Sequence, residues 1–97
     1  MRLRITEVCP QSRIFRADGE RLRAAIRETW AKSQVCELDF ENARIASISF
    51  LDEGIAVLAR EMPVDELLAR LRIENMTGPD RRLLDQRIAA RERERSL

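Results

Sequence analysis

The side chains that could carry out chemistry in this sequence are carboxylates and serines, because the chain contains no histidine and no tyrosine. Without an imidazole, Ser-His-Asp triads, Cys-His dyads and histidine metal sites are excluded. Two carboxylates can perform acid–base catalysis on their own, and acids stand near one another in the sequence at Asp39, Glu41, Asp52 and Glu53. No pattern around these acids marks a pocket. We therefore predict a protein that is not an enzyme and that holds no metal or cofactor.

The length, charge and cysteine content predict one cytoplasmic domain. The 97 residues suffice for a single domain, 1–97, whose last residues, 91–97, should form a solvated charged tail. With 18 basic and 17 acidic residues, the net charge of +1 creates no strong field toward nucleic acid or membranes. Cys9 and Cys36 form no CxxC pair; Cys36 is interpreted as a reduced core thiol, and a Cys9–Cys36 bridge is the less favoured alternative. The first residues lack the apolar core of a signal peptide, and no apolar run is long enough to span a membrane.

Apolar spacing along the chain predicts an α/β domain with the order β-β-α-β-α-α-β-α. The first two strands should form a hairpin, and the segment 35–40 alternates between apolar and acidic residues. This alternation predicts a mixed four-stranded sheet with helices mainly on one face and a polar opposite face. The predicted strands are 2–8, 13–17, 35–40 and 72–76, and the predicted helices are 20–33, 49–62, a short segment at 64–71 and a last helix after the turn at 77–80.

The helix at 49–62 carries the best signal for a capped helix start. Ser49 and Asp52 have the spacing of a capping box, in which the serine side chain accepts a hydrogen bond from the first turn. Ser47 is interpreted as a loop serine that bonds nearby backbone. Gly54 falls inside this helix, and we attribute it to close packing of the helix on a strand. The preceding helix should begin after Asp18, its predicted N-cap.

Two stretches of the sequence resemble the STAS-like domains of unknown function, which are related to the STAS domains of anti-sigma factor antagonists. The stretch 35–40 ends in Asp39-Phe40, and the stretch 45–53 ends in Ser-Phe-x-Asp-Glu. A strand that ends in Asp-Phe, a short loop and a helix start of this composition are typical of that family. The resemblance extends over nearly the whole chain. It implies a STAS-like fold and a non-catalytic regulatory module that binds another protein.

The resemblance also implies a phosphorylation site. In the better-known antagonists, a partner kinase phosphorylates a serine that follows the aspartate at the end of a strand by ten residues, and counting from Asp39 reaches Ser49. Those antagonists have Asp-Ser-Ser-Gly at this point, whereas this sequence has Ser47-Ile48-Ser49-Phe50, so the preceding acid and the following glycine are both missing. Ser47 is a second candidate phosphoacceptor, and a role of Ser49 as a helix cap alone stays open.

The partner that the resemblance implies is an ATP-binding serine kinase or another anti-sigma-type protein. It should bind the loop at 41–48 and the exposed side of the helix that follows. A phosphate on Ser49 would add about −1.5 to −2 charges to a neighbourhood that already looks acidic, and so weaken binding. The predicted partner-binding residues are Asp39, Glu41, Asn42, Ser49, Phe50, Asp52 and Glu53.

Two other kinds of function remain open from the sequence. A nucleic-acid-binding module would use the arginine-rich first strand and first helix, although the charge balance and the lack of aromatic residues at stacking spacing disfavour it. A small-ligand sensor or a subunit of a larger complex is the other alternative, and a homodimer is compatible with either. The arginines that a nucleic acid would contact are Arg2, Arg4, Arg13, Arg16, Arg21, Arg23 and Arg27.

Overall fold

The computed structural model describes residues 1–10, 14–45 and 47–95, and its centre is a sheet of three parallel strands in the order β1-β2-β3. In chain order the elements are β1 (Arg2–Arg4), α1 (Ile5–Val8), α2 (Arg16–Trp30), β2 (Cys36–Asp39), α3 (Ile48–Gly54), a 3₁₀ helix (Ala56–Arg60), α4 (Val64–Arg70), β3 (Leu71–Glu74) and α5 (Gly78–Arg95). Leu3 is paired with Leu38, and Leu38 with Ile73, so apolar residues of all three strands share one face. Arg2 and Arg72 lie on the opposite face and are exposed.

The sheet differs from the predicted one, which had four strands of mixed direction. The second predicted strand does not form: Ile14 makes an isolated bridge with Ile45, and α2 begins soon afterwards. Arg13 lies outside the described residues. The helix starts early because the Asp18 carboxylate accepts a hydrogen bond from the Phe15 backbone N–H at 3.0 Å. Asp18 therefore stabilises the helix start from within the first turn, and its prediction as the N-cap was wrong.

The first strand is shorter than predicted because the chain turns into α1 at Ile5. One helical turn buries both Ile5 and Cys9, whose exposed fractions are 0% and 1%. The Cys9 backbone N–H donates to the Ile5 carbonyl oxygen at 2.8 Å and closes the turn. A continued strand would have placed Glu7 on the same face as these two residues. The helical turn leaves the Glu7 side chain exposed to solvent instead.

Helices α2 and α3 pack against each other at two glycines, which allow a close approach. A Cβ atom on Gly19 would lie 2.9 Å from the Phe50 carbonyl oxygen and 3.0 Å from the Gly54 nitrogen. A Cβ atom on Gly54 would lie 3.1 Å from Leu22 Cδ2 and 3.3 Å from the Gly19 carbonyl oxygen. Gly54 therefore packs against a helix and not against a strand, which corrects the expectation from the sequence.

The predicted helix at 49–62 is divided into two parts. The backbone of Ile55 leaves the helical region (φ −127°, ψ −57°), and the chain continues as the 3₁₀ helix. Ile55, Ala56 and Leu58 are fully buried around this break, so core packing holds the irregular backbone in place. Helix α5 packs over the 3₁₀ helix, and its buried residues are Leu84 and Ile88.

The end of the chain was expected to be a solvated tail at 91–97. Helix α5 instead continues to Arg95, and the Arg91 side chain is only 15% exposed. Ser96 and Leu97 lie outside the described residues. Across the described ranges, no helix combines the length and the apolar character that a membrane span requires.

We predict that Gly19→Ala lowers the free energy of unfolding by about 1–3 kcal/mol, because the added methyl group overpacks the crossing of α2 and α3. Gly78→Ala is the matched control, since a Cβ atom there would meet only Arg82 Nη1, at 3.6 Å. Gly78→Ala should change the free energy of unfolding by no more than about 1 kcal/mol, in the stabilising direction, because alanine favours a helix more than glycine does. Urea unfolding, monitored by circular dichroism, measures the change in the free energy of unfolding for both variants. Equal effects of the two substitutions would contradict the close crossing.

Candidate functional site

The first turns of α2 and α3 lie side by side and form a surface that we call the α2–α3 end, consisting of Phe15, Arg16, Ser47, Ile48 and Ser49. Arg16 joins the two helices. Its Nη1 donates to Glu53 Oε1 at 2.7 Å, and its Nη2 donates to Ser49 Oγ at 3.2 Å. The bridge between Ile14 and Ile45 holds the preceding segments together just outside both helices. Both candidate phosphoacceptors therefore stand on one surface.

Ser47, and not Ser49, is the N-cap of α3. Its backbone is extended (φ −148°, ψ 135°), and its Oγ accepts a hydrogen bond from the Ser49 backbone N–H at 3.1 Å. Ser49 thus lies inside the first turn, and the predicted capping box of Ser49 and Asp52 does not form. The helix starts earlier because the Ser47 hydroxyl satisfies a free N–H of the first turn, while the Asp52 carboxylate bonds to α5.

The surroundings of the Ser49 hydroxyl are less acidic than the sequence suggested. Ser49 is half-buried, and the side chain that contacts its Oγ is the cationic Arg16. Glu53 is the acid that shares this arginine, and Arg23 also pairs with Glu53 at 3.3 Å. The serine hydroxyl and its nearest acid are therefore both in contact with guanidinium groups.

Asp52 is a buried structural residue and not a partner contact. It is 7% exposed, and its carboxylate accepts hydrogen bonds from Arg87 Nε at 3.2 Å and from Arg91 at 3.0 and 2.5 Å. The hydrogen bond from Arg91 is the main reason why the pKa of Asp52 is lowered, although burial acts in the opposite direction. These bonds fasten α5 to α3, so the expectation that Asp52 meets a partner is corrected.

Asp39 is also used within the fold. It is 4% exposed at the carboxyl end of β2, and it accepts hydrogen bonds from Asn75 Nδ2 at 2.8 Å, the Glu41 N–H at 3.0 Å and Arg2 Nη2 at 3.0 Å. The hydrogen bond from Asn75, followed by that from the Glu41 backbone, lowers the pKa of Asp39. Asn42 and Asn75 both have positive φ (62° and 61°), so each turns the chain just after a strand end.

The remaining predicted contact residues divide between core and surface. Phe50 is fully buried in the core and unavailable to a partner. Glu41 and Asn42 are exposed in the loop after β2. Two large apolar side chains at the α2–α3 end are exposed: Ile48 at 41%, which belongs to the predicted contact loop, and Phe15 at 53%, which the sequence analysis missed. The signal for Phe15 was its place three residues before Asp18, where a helix N-cap is expected.

Nothing in the described ranges resembles a metal site: no three acidic or cysteine side chains are grouped so that they could hold an ion. Cys9 and Cys36 are free and buried, and burial raises the pKa of Cys9 to about 11. A thiol with such a pKa is protonated at neutral pH and is a poor nucleophile.

Most arginines of the nucleic-acid alternative have carboxylate partners inside the chain, which weakens their field at the surface. Arg4 has a more distant acid, Glu7, at 4.0 Å. The paired arginines are Arg2 with Asp39 and Glu74, Arg16 and Arg23 with Glu53, Arg21 with Asp18, and Arg27 with Glu61.

We predict that Asp52→Asn destabilises the protein by about 2 kcal/mol at about pH 7, because it leaves two arginines of α5 without their buried counter-charge. The folded pKa of Asp52 is lowered, so its contribution is present above the unfolded pKa of about 3.9 and is lost as the pH falls through the folded value. The difference between wild type and variant, measured by urea unfolding, should therefore shrink as the pH falls below about 4.

The matched control is Asp85→Asn, because Asp85 pairs with Arg81 on the surface and is 58% exposed. This substitution should cost less than about 0.5 kcal/mol at any pH. A constant cost of Asp52→Asn from neutral to acidic pH would contradict the assigned ion pairs.

We predict that Ser47→Ala costs about 1 kcal/mol of stability, because it removes the N-cap of α3. Ser49→Ala should cost less, since the Ser49 hydroxyl only accepts one bond from an exposed arginine. Thermal and urea unfolding of the two variants test the assignment of the cap. A larger loss for Ser49→Ala would return the cap to that residue.

Comparison with known proteins supports the family that the motifs suggested, over a shorter part of the chain. The model of the family described as a STAS-like domain of unknown function matches residues 18–81. This region contains most of α2 together with β2, α3, the 3₁₀ helix, α4 and β3, whereas β1, α1 and most of α5 lie outside it. No curated protein and no solved structure matches the sequence significantly. Because the match covers more than half of the 97 residues, the chain belongs to the family of STAS-like domains of unknown function.

Proposed function

We propose that this protein is a non-catalytic regulatory module that binds another protein through the α2–α3 end, in the manner of the anti-sigma factor antagonists. The observation that carries the proposal is the position of the Ser49 hydroxyl. This hydroxyl lies at the surface and contacts Arg16. Phe15 precedes Arg16 in the sequence, Ile48 precedes Ser49, and both apolar side chains are exposed. A partner that covers these two side chains would also cover Ser49.

The apolar character of the α2–α3 end supports a protein as the partner. Aromatic and aliphatic anchors with a polar rim are typical of protein interfaces. The rim residues here would be Glu41 and Asn42 in the loop after β2, which are exposed. Asp39 and Asp52, two of the acids predicted as contacts, have partners within the chain and take no part in the proposed interface.

Phosphorylation of Ser49 is the switch that we propose. A phosphate would add about −1.5 to −2 charges next to Ile48 and would compete with Glu53 for Arg16, which now bonds to both residues. Covering this charge with an apolar partner surface would require its desolvation. A loss of one or two decades in affinity corresponds to about 1.4–2.7 kcal/mol, which such a charge can impose.

The proposed partner is an ATP-binding serine kinase or another anti-sigma-type protein, and an ATP-dependent switch implies the cytoplasm as the compartment. Ser47 stays the second candidate phosphoacceptor. Its Oγ already accepts the Ser49 N–H and caps α3, so we expect modification there to be secondary.

We predict that incubation with ATP and a kinase whose gene neighbours the gene of this protein adds one phosphoryl group to the wild type and to Ser47→Ala, but not to Ser49→Ala. Intact mass spectrometry measures the addition. The reason is that Ser49 offers its hydroxyl at the surface, whereas Ser47 uses its hydroxyl as a cap. An unmodified wild type, or modification that persists in Ser49→Ala, would reject the switch.

We predict that Phe15→Ala or Ile48→Ala weakens binding to that kinase by about tenfold or more, as expected for an apolar anchor. Leu68→Ala is the matched control, because Leu68 on α4 is exposed to a similar extent, 42% against 41% for Ile48. Isothermal titration calorimetry compares the variants. A loss of affinity in the control equal to that of Ile48→Ala would place the interface elsewhere.

A further inference from the structure

Among the described strands β1 forms one edge of the sheet, and a groove lies between this strand and α2. This cavity has a volume of about 210 Å³. It is smaller than the roughly 300–1,000 Å³ of typical small-molecule pockets, so it suits one or two side chains better than a metabolite. The residues that line it are Met1 and Leu3 on the strand side and Ala25, Glu28, Thr29 and Lys32 on α2.

The outer edge of β1 offers backbone groups for pairing. β1 is the first strand of the sheet and pairs with β2 alone among the described strands. The Glu37 N–H donates to the Met1 carbonyl oxygen at 2.8 Å, so this carbonyl faces β2. Because consecutive carbonyls along a strand point to opposite edges, the backbone groups of Arg2 face away from the sheet. A further strand at the usual spacing of about 4.8 Å could bond to them.

The groove is apolar where the side chain of an added strand would enter it. Leu3 points to the core side of the sheet but is only half-buried, whereas its neighbour Leu38 on β2 is fully buried. Ala25 is also half-buried, and Met1 is 61% exposed. One apolar residue of an added strand would cover these side chains and complete the core face, and its two neighbours would point to the polar face of the sheet.

The charges on the polar face decide which strand fits. Arg2 already pairs with Asp39 and Glu74, but Arg4 is 64% exposed, and its nearest carboxylate, Glu7, is 4.0 Å away. In antiparallel pairing of two copies of β1 with their core faces aligned, arginine would stand opposite arginine, which is unfavourable. A strand with acidic residues at these positions would place opposite charges together.

We propose that the β1 edge and its groove are a docking site for an extended segment of another protein, in which an apolar residue is flanked by acidic residues. The segment adds to the sheet as a fourth strand. It bonds to the outer backbone edge of β1, inserts its apolar side chain between Leu3 and Ala25, and places an acid beside Arg4. This site is separate from the α2–α3 end, so it goes beyond the function proposed above.

The test is a titration of the 97-residue chain with two acetylated, amidated peptides, Glu-Val-Glu-Val-Glu and Lys-Val-Lys-Val-Lys, followed by ¹H–¹⁵N NMR. The acidic peptide should shift the amide signals of residues 2–4 and 25–32 and bind at least about tenfold more tightly than the basic one, a difference that one charge pair can supply. Arg4→Glu should reverse this preference. Arg93→Glu, the same change on an exposed residue of α5, should leave it unchanged.

Ala25→Leu, which fills the groove, should abolish binding of both peptides, and the dispersion of its spectrum reports whether it folds. The proposal is overturned if neither peptide shifts residues 2–4, if both bind equally, or if Arg4→Glu keeps the preference of the wild type. Absence of all binding would mean that the arginines only protect the edge from pairing. Ser49→Asp should not alter the titration, so failure here and failure at the α2–α3 end are distinguishable.

Discussion

The close crossing of α2 and α3 at Gly19 and Gly54 is the contact on which the rest of the structure depends. Because neither position carries a side chain, the backbone of Phe50 can lie close to Gly19, and the Phe50 side chain is fully buried. The same approach brings Arg16 at the start of α2 within hydrogen-bond distance of Ser49 and Glu53 on α3. A larger residue at either glycine would separate the helices and, with them, the side chains that form the α2–α3 end.

Nearly buried carboxylates accept the hydrogen bonds that connect several elements of this fold. Asp18 bonds to the backbone at the start of α2, Asp39 ties the ends of β2 and β3 together through Asn75, and Asp52 fastens α5 through two arginines. Each is nearly buried, and each has its hydrogen-bond partners, as buried charges require. Because these three acids are bonded within the chain, the exposed apolar residues are the features by which another protein could recognise the surface.

The three-stranded sheet explains the division of the surface into regions of different character. A parallel sheet is usually covered on both faces, but here one face carries arginines and acids that pair across the strands, with Arg2 bridging Asp39 and Glu74. This network makes an uncovered face stable in water. The exposed apolar surfaces that a partner could bind lie elsewhere, at the helix starts around Phe15 and Ile48 and in the groove beside Leu3.

The sequence by itself determined the family, the central strand and the approximate positions of α2, α4 and α5, because apolar spacing and the motif around Asp39 and Ser49 are local patterns. It also indicated that the region of Ser47 and Ser49 begins a helix. Only the tertiary structure decided which serine caps it and which acids are buried, because the partners of these groups are distant in the chain: Arg91 follows Asp52 by 39 residues. The number of strands was likewise decided by the tertiary structure, since β1 pairs with the distant β2, whereas the neighbouring segment enters α2 at Arg16.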